Sequence, residues 1–221
     1  MNLVQPQLQF SLDFVSIPTA LMVAFKVADQ VDIIEVGTPL CKSAGMAAVR
    51  AVREVFPDKL ILADMKTPDV GDLEVQLAFE AGANMITVMG GAPLATLELA
   101  LKEARRWGKE VLVELTGVRN LHARANEWRM LGVERMVYHR GWDEGLASRE
   151  WSQEDVTCLR WLSEQGFMVS VAGGITGELL PLFREVPVSI LVVGRAIHRA
   201  AHPEAAVCMI RRAMQEVWPA S

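Results

Sequence analysis

Seven ionisable side chains stand at the ends of short apolar runs, and they are the residues of this sequence best suited to chemistry. An ionisable group beside an apolar strand is costly to bury unless it is paired or bound to a metal. All of these groups lie at the C-terminal end of a run, which indicates one shared location. For any single residue, a turn, a cap or a hydrogen bond to a nearby carbonyl is the plainer interpretation. The seven are Asp13, Glu35, Asp64, Lys66, Glu114, His139 and Arg195.

The segment Asp64-Met65-Lys66 places an acid and an ammonium two residues apart, and Asp69 follows in the next loop. Side chains two apart on a β-strand point to the same face, so Asp64 and Lys66 are expected to meet. Carboxylates on either side of a cation keep it charged. The alternative is an ion pair that neutralises itself and has no chemical role.

Glu35 and Asp64 come from adjacent runs, and both offer hard oxygen ligands. Two carboxylates, together with oxygens from a substrate and from water, are a usual way to hold Mg²⁺. No cluster of His and Cys at metal-ligand spacing indicates zinc. The sequence therefore predicts a magnesium site formed by these two carboxylates.

Glycines follow the last two runs, as Gly173-Gly174 and as Gly194-Arg195. Glycine lets backbone N–H groups approach an anion, and a following helix N-terminus favours negative charge. Arg195 can add a bidentate contact. A single Gly-Gly is more often a turn, but two such places at these two strands favour a phosphate site.

The elements that must position these residues are eight short apolar runs that alternate with segments of helical period. Successive runs lie on average about 26 residues apart, which is what a strand, a crossover helix and two short loops require. Several runs are apolar on both faces, as buried parallel strands are. The runs are 8–14, 31–37, 59–66, 84–91, 110–117, 133–140, 167–174 and 188–195.

Eight such units favour an α/β fold in which residues 1–221 form a single (β/α)₈ TIM barrel. An open doubly wound sheet would need a Gly-rich turn after the first strand, and the sequence has none there. In a barrel the C-terminal strand ends meet at one mouth, so the seven ionisable groups are expected to meet there. We also expect Asp72 to cap a helix that begins near Leu73, and Ser152 with Asp155 to form a capping box.

Composition narrows the class of partner. Lys and Arg number 22 against 27 Asp and Glu, which gives a net charge of −5 and argues against nucleic acid or an anionic membrane. The three cysteines are far apart, as in a cytoplasmic protein with reduced thiols. No secretory signal or membrane span is expected.

Several motifs together resemble the family of 3-keto-L-gulonate 6-phosphate decarboxylase and 3-hexulose-6-phosphate synthase, within the orotidine 5′-phosphate decarboxylase superfamily. The resemblance runs from about Leu8 to the last helix, and the DxKxxD pattern joined to IIEVGT is its most specific part. The motifs are VDIIEVGTPL, LADMKTPDVG, VELTG, VYHRGWD, VAGGI and VVGRAI.

The resemblance implies roles for particular residues. It assigns Mg²⁺ to Glu35 and Asp64, and it places Lys66 against the oxygens of a developing enediolate. It implies a homodimer in which Asp69 completes the neighbouring subunit's site. The remaining implied roles are substrate hydroxyl contact by Asp13, positioning of the proton donor by Glu114 and His139, and phosphate binding by Gly174, Gly194 and Arg195.

The implied reaction is Mg²⁺-dependent loss of CO₂ from 3-keto-L-gulonate 6-phosphate, which gives L-xylulose 5-phosphate. The alternatives are the synthase, which adds ribulose 5-phosphate to formaldehyde, and a non-catalytic phosphosugar-binding barrel. A phosphosugar epimerase would need metal-binding histidines where Glu35 and Asp64 stand. Two residues depart from the decarboxylase pattern, since Trp142 replaces an arginine and Ala172, as in the synthase, replaces a threonine.

Overall fold

Eight parallel strands close into a barrel in which the strands follow chain order and the first pairs with the last. The structure is a computed structural model, and it describes residues 4–141, 143 and 150–219. The predicted (β/α)₈ barrel is thereby confirmed. The strands are β1 (Gln7–Leu12), β2 (Ile33–Val36), β3 (Leu60–Thr67), β4 (Met85–Met89), β5 (Glu110–Glu114), β6 (Arg135–His139), β7 (Met168–Ala172) and β8 (Val188–Val193).

Helices cover the outside of the barrel, and two short 3₁₀ segments lie at 28–30 and 177–183. In the part of the chain that the structure describes, the α-helices are α1 (Ile17–Val27), α2 (Thr38–Ala44), α3 (Met46–Val55), α4 (Gly71–Glu80), α5 (Leu94–Trp107), α6 (Leu121–Leu131), α7 (Gln153–Glu164), α8 (Arg195–His198) and α9 (Pro203–Val217).

The core has two parts because strand side chains alternate between the two faces of the sheet. The larger part lies between the strands and the helices and includes the buried ring of Trp128. The smaller part fills the barrel interior with apolar side chains, as this fold requires. Its members are Ile33, Leu62, Met85, Leu112, Val137, Ala172, Ile190 and Val192.

The same alternation selects the side chains of the mouth. Glu35, Asp64 and Glu114 each lie two residues beyond an interior apolar residue, namely Ile33, Leu62 and Leu112. They therefore point inward at the C-terminal rim. Burying acids there is tolerable only because their oxygens meet donors at the rim.

One of the two expected helix starts is confirmed. Ser152 accepts a hydrogen bond from the Asp155 N–H, and the Asp155 side chain accepts one from the Ser152 N–H, which completes the capping box of α7. The expected cap by Asp72 is wrong, because α4 begins at Gly71 and Val70 holds the capping position in a left-handed conformation. Asp72 lies inside the first turn instead, where its charge favours the helix dipole.

The described residues bear on the absence of a membrane span and on the state of the cysteines. No helix among them is long and apolar enough to cross a bilayer. Cys41, Cys158 and Cys208 are free thiols.

Candidate active site

Nine of the ten predicted site residues line one cavity of about 840 Å³ at the C-terminal mouth of the barrel. They come from seven of the eight strands or from the loops that follow them, so the closed barrel brings together residues that are far apart in sequence. The tenth, Asp69, does not line this cavity. The nine are Asp13, Glu35, Asp64, Lys66, Glu114, His139, Gly174, Gly194 and Arg195.

The Asp64 carboxylate is the most densely bonded group of the site, and its side chain is almost fully buried. One oxygen accepts hydrogen bonds from Thr38 Oγ1 at 2.5 Å and from Lys66 Nζ at 2.5 Å. The other accepts from Thr87 Oγ1 at 2.7 Å. Burial alone would raise the pKa of Asp64, but the charge of Lys66 and these three donors outweigh it and lower the pKa. Asp64 is therefore held as an anion.

Lys66 meets Asp64 as expected, but regular strand alternation is not the whole reason. Lys66 is left-handed, with φ of 47°, and the pairing of β3 with β4 shifts register between Ala63 and Thr67. Its N–H donates to Thr87 Oγ1 at 2.9 Å. A left-handed lysine is strained, and such strain persists where neighbouring contacts fix the backbone.

The Lys66 ammonium contacts two carboxylates, since Glu114 Oε2 lies 3.7 Å from Nζ in addition to the Asp64 oxygen. Burial would lower the pKa of Lys66, but the charges of Asp64 and Glu114 outweigh that effect and raise it. Lys66 is therefore a fixed positive charge at neutral pH. It is placed to stabilise negative charge and not to act as a base.

Two further carboxylates, Glu35 and Asp13, are destabilised in their charged form. Burial raises the pKa of Glu35 well above its usual range, and the negative charges of Asp64 and Asp13 raise it further. The same two causes, burial and Asp64, raise the pKa of Asp13. Gln9 Nε2 donates to Glu35 Oε2 at 2.6 Å, which offsets part of the cost.

Asp13 fits at the rim because glycines stand on both sides of it. A Cβ on Gly37 would lie 2.3 Å from one Asp13 oxygen, and a Cβ on Gly194 would lie 3.1 Å from the other. Gly194 therefore makes room for a carboxylate, in addition to any role it has toward an anion.

Glu114 and His139 form a second polar pair on adjacent strands. His139 Nδ1 lies 3.3 Å from Glu114 Oε1, and the same oxygen accepts a hydrogen bond from Thr116 Oγ1 at 2.6 Å. Nδ1 is buried and forms no hydrogen bond to this carboxylate in the described part of the chain, so the two groups are neighbours and the ring retains a nitrogen for a water or a substrate.

The opposite side of the cavity carries glycines and guanidinium groups. Gly173 and Gly174 have φ of 96° and 69°, which disfavours other residues there. A Cβ on Gly173 would also lie 2.0 Å from the Arg140 carbonyl oxygen. Arg195 and Arg140 both line the cavity beside this turn, so its charge is opposite to that of the carboxylate side.

Asp69 is exposed, in the loop between β3 and α4. The next residue, Val70, is left-handed with φ of 48°, which is unusual for a β-branched residue. Lys66 and Val70 thus enclose a short, strained loop, and Asp69 within it does not line its own chain's cavity.

Sequence reasoning missed three polar residues that hold the carboxylates, namely Gln9, Thr38 and Thr87. Gln9 and Thr87 had a detectable signal, since Thr87 is the polar residue of the otherwise apolar β4 and Gln9 is one of the polar residues that alternate along β1. Thr38 had none, because its contact depends on how α2 begins after β2. Arg140 also lines the cavity, although it was read only as part of a motif. Trp142, one of the two departures from the decarboxylase pattern, lies outside the described residues.

Cys41 is buried beside the carboxylates, but it is not a nucleophile. Burial and the charges of Asp64 and Glu35 raise the pKa of its thiol to about 12. Its Sγ donates to the Val36 carbonyl at 3.3 Å. Since only a thiolate attacks readily, this cysteine has a packing role.

Comparison with known proteins gives consistent matches over nearly the whole chain. A family model described as Orotidine 5′-phosphate decarboxylase / HUMPS family matches residues 6–210. The chain is 38% identical over 213 residues to 3-keto-L-gulonate-6-phosphate decarboxylase UlaD of Escherichia coli, covering 96% of this chain and 98% of the relative.

Two solved structures illustrate the range of the similarity. A 3-keto-L-gulonate-6-phosphate decarboxylase from Vibrio cholerae aligns with a TM-score of 0.90 and 35% identity, over 98% of this chain and 100% of that one. A 3-hexulose-6-phosphate synthase aligns with a TM-score of 0.85 and 40% identity, over 94% and 99%.

The raised pKa of Glu35 makes a prediction for stability. A group whose pKa is raised on folding stabilises the fold most below its unfolded pKa, near the ordinary value of 4.5, and loses that contribution as the pH rises through the folded pKa. Glu35→Gln keeps an acceptor for Gln9 but carries no charge. Without added metal, the variant should unfold at higher urea concentration than the wild type at pH 8, and the gain should shrink toward pH 4.

The matched control is Glu54→Gln, because Glu54 is exposed on α3. It should change the urea midpoint little at either pH. A Glu35→Gln variant that is less stable than the wild type at pH 8 would show that the carboxylate is not held under electrostatic strain.

Proposed function

The chain belongs to the orotidine 5′-phosphate decarboxylase / HUMPS family, and we propose that it is a carboxy-lyase that converts 3-keto-L-gulonate 6-phosphate to L-xylulose 5-phosphate and CO₂. The observation that carries this proposal is the Lys66 ammonium, held by Asp64 and Glu114 at the barrel mouth. The similarity to UlaD over nearly the full length of both chains supports the substrate.

The reaction needs a site that accepts an electron pair. When the bond between the carboxylate carbon and the sugar carbon breaks, CO₂ leaves and the electron pair stays on the sugar as an enediolate. A fixed ammonium in a largely buried site stabilises that charge more than it stabilises the neutral ketone. Lys66 supplies it without having to move, because Asp64 and Glu114 both hold it.

Protonation of the enediolate carbon completes the reaction. The proton comes from a water, and Glu114 with His139 is the pair that orients it. Glu114 can do this beside Lys66 because Thr116 and His139 share its other oxygen. The phosphate lies at the opposite side, at Gly173, Gly174, Gly194 and Arg195.

The carboxylates fit a hard divalent cation. No group of three or more His, Cys, Asp or Glu among the described residues forms a metal site, so two protein ligands, Glu35 and Asp64, would have to suffice. Mg²⁺ usually retains waters and takes oxygens from its substrate, which makes two sufficient. The pKa of Glu35 is raised first by burial and then by the negative charges of Asp64 and Asp13, and a bound cation would offset these effects. Mg²⁺, when bound, supplies Lewis-acid stabilisation of the substrate oxygens.

A homodimer is part of the proposal. Asp69 is exposed and does not line its own cavity, and exposed apolar side chains follow it along one stripe at Val70, which caps α4, and at Leu73 and Leu77 within α4. Spacings of three and four residues keep such a stripe on one helix face. If a second copy of the chain covers this stripe, Asp69 of the first copy comes close to the active site of the second. We place the enzyme in the cytoplasm, and the three free thiols support this location.

The synthase remains the second candidate because a 3-hexulose-6-phosphate synthase structure is 40% identical to this chain. Ala172, a feature of that branch, lines the cavity directly before Gly173. Both reactions form an enediolate, so Lys66 would serve either one.

Assays with both substrates distinguish these functions. Purified protein with Mg²⁺ should release CO₂ from 3-keto-L-gulonate 6-phosphate, with a kcat/KM well above that for formaldehyde-dependent loss of ribulose 5-phosphate. Lys66→Ala should lose about 100- to 1,000-fold in kcat, because one preorganised charge contributes roughly 3–4 kcal/mol to the transition state. Lys102→Ala, on the exposed face of α5, is the control and should match the wild type.

The opposite substrate preference would assign the chain to the synthase branch. Tight binding of either sugar phosphate with no turnover would favour the non-catalytic barrel.

Metal dependence is tested by removing and restoring the ion. EDTA-treated enzyme should be inactive, and Mg²⁺ should restore it. Calorimetry should detect Mg²⁺ binding to the wild type and to Glu54→Gln but not to Glu35→Gln. Full activity after chelation would refute the metal site and leave the fixed charge of Lys66 as the main stabilising group.

Mixing two inactive variants tests the shared site. Lys66→Ala and Asp69→Ala should each be nearly inactive alone. After co-refolding, half of the dimers are mixed and one of their two sites is intact, so activity should return to about one quarter of the wild type. A mixture as inactive as its components would show that Asp69 acts within its own chain or not at all.

A further inference from the structure

Trp151 touches the glycine turn of the cavity from behind. Its indole Nε1 donates a hydrogen bond to the Gly173 carbonyl oxygen at 2.8 Å. Trp151 does not line the cavity and belongs to none of the charged groups described above. The polar end of its ring is therefore directed at the backbone of the turn.

The geometry of the peptide unit gives this bond a consequence. The Gly173 carbonyl and the Gly174 N–H belong to one planar peptide, and in a trans peptide these two groups point in opposite directions. No cis peptide occurs in the described chain. Trp151, by fixing the carbonyl on the outer side, therefore fixes the Gly174 N–H on the side of the cavity.

The Gly174 N–H is available to a ligand. Within the described ranges no residue accepts a hydrogen bond from it, although Gly174 itself lines the cavity. A carbonyl that accepts a hydrogen bond also polarises the N–H of its own peptide, because hydrogen bonds in a chain strengthen one another. The indole thus both orients this donor and strengthens it.

Trp151 is held firmly enough to act in this way. Its ring packs edge-on against buried Phe183, with the ring centres 5.1 Å apart. It also packs at a tilt against Tyr138, with the ring centres 5.8 Å apart. The next residue, Ser152, is fixed by the capping box of α7. The Arg140 guanidinium lies 5.7 Å from the indole, close enough for a cation–π contact.

The turn needs a contact of this kind to fix its orientation. Both residues are glycines with positive φ, and glycine backbone is flexible. A glycine pair that binds an anion therefore needs an external contact to hold its N–H groups in place.

We propose that Trp151 is a positioning residue for the substrate's phosphate, which it orients through the Gly173–Gly174 peptide. This inference depends on the proposed function in one respect, namely that the ligand carries a phosphate group. Inorganic phosphate is therefore used as the probe, so that a failure of the decarboxylase assay and a failure of this proposal can be told apart.

The variant that tests the proposal is Trp151→Phe, which keeps an aromatic ring but removes the donor. The dissociation constant for inorganic phosphate should rise about five- to tenfold, since a hydrogen bond to a charged group is weakened but not lost. In the decarboxylase assay KM should rise by a similar factor, while kcat changes less than about twofold, because the phosphate is remote from the bond that breaks. Trp151→His, which retains a ring N–H, should recover part of the affinity.

The control is Trp161→Phe, the same substitution on α7, where the indole stacks on His122 at 4.1 Å. It should leave phosphate affinity unchanged. An unchanged phosphate affinity in Trp151→Phe would overturn the proposal, and so would a loss that falls on kcat alone, because a general packing defect predicts that result.

A measurement on the wild type covers the case in which Trp151→Phe does not fold. In protein labelled with ¹⁵N-glycine, phosphate should shift the Gly174 amide proton downfield at saturation. A Gly174 resonance that does not respond while phosphate binds would show that this N–H is not a ligand, and the proposal would then be wrong.

Discussion

One ammonium group holds the carboxylates of the mouth together. Lys66 lies against Asp64 and Glu114, while Glu35 and Asp13 interact with the same centre through their charges. Four acids outnumber one base, so the charged forms of Glu35 and Asp13 oppose folding, whereas those of Asp64 and Lys66 are stabilised. The cluster persists because the acids are fixed to strands whose interior and outer faces are buried in apolar contact, and that burial stabilises the barrel.

The uneven charge has a functional consequence. If every acid had a basic partner, the mouth would be balanced and would have no tendency to bind a cation. Asp64 accepts hydrogen bonds from Lys66, Thr38 and Thr87, whereas Glu35 has Gln9 as its neutral donor. The unbalanced negative charge therefore falls mainly on Glu35, and the cation proposed above would relieve it.

The sequence predicts the barrel well because one local rule, apolar strands with polar ends, repeats eight times. The rule also identifies Glu35, Asp64 and Glu114, since their inward direction follows from alternation. The rule fails where tertiary contacts determine the backbone conformation. Nothing local indicates that Lys66 is left-handed, because Thr87, on the next strand, holds its N–H. Asp72 looks like a helix cap, but α4 begins two residues before Leu73. Trp151 is 22 residues from the carbonyl that it bonds, and only the pairing of β6 with β7 brings them together.

The two ends of the cavity decide how a phosphosugar can lie in it. A phosphate dianion is repelled by Asp13, Glu35 and Glu114 and attracted by the guanidinium groups of Arg195 and Arg140, so only one orientation is favourable. Between these ends the wall is apolar, with Leu62, Val137, Ala172 and Val192 lining it. Such a wall lowers the local dielectric and strengthens the interactions at both ends. In the proposed function, a phosphate held at the glycine turn would direct the other end of the sugar toward Lys66. The charge pattern would then favour the bond that breaks before any residue takes part in breaking it.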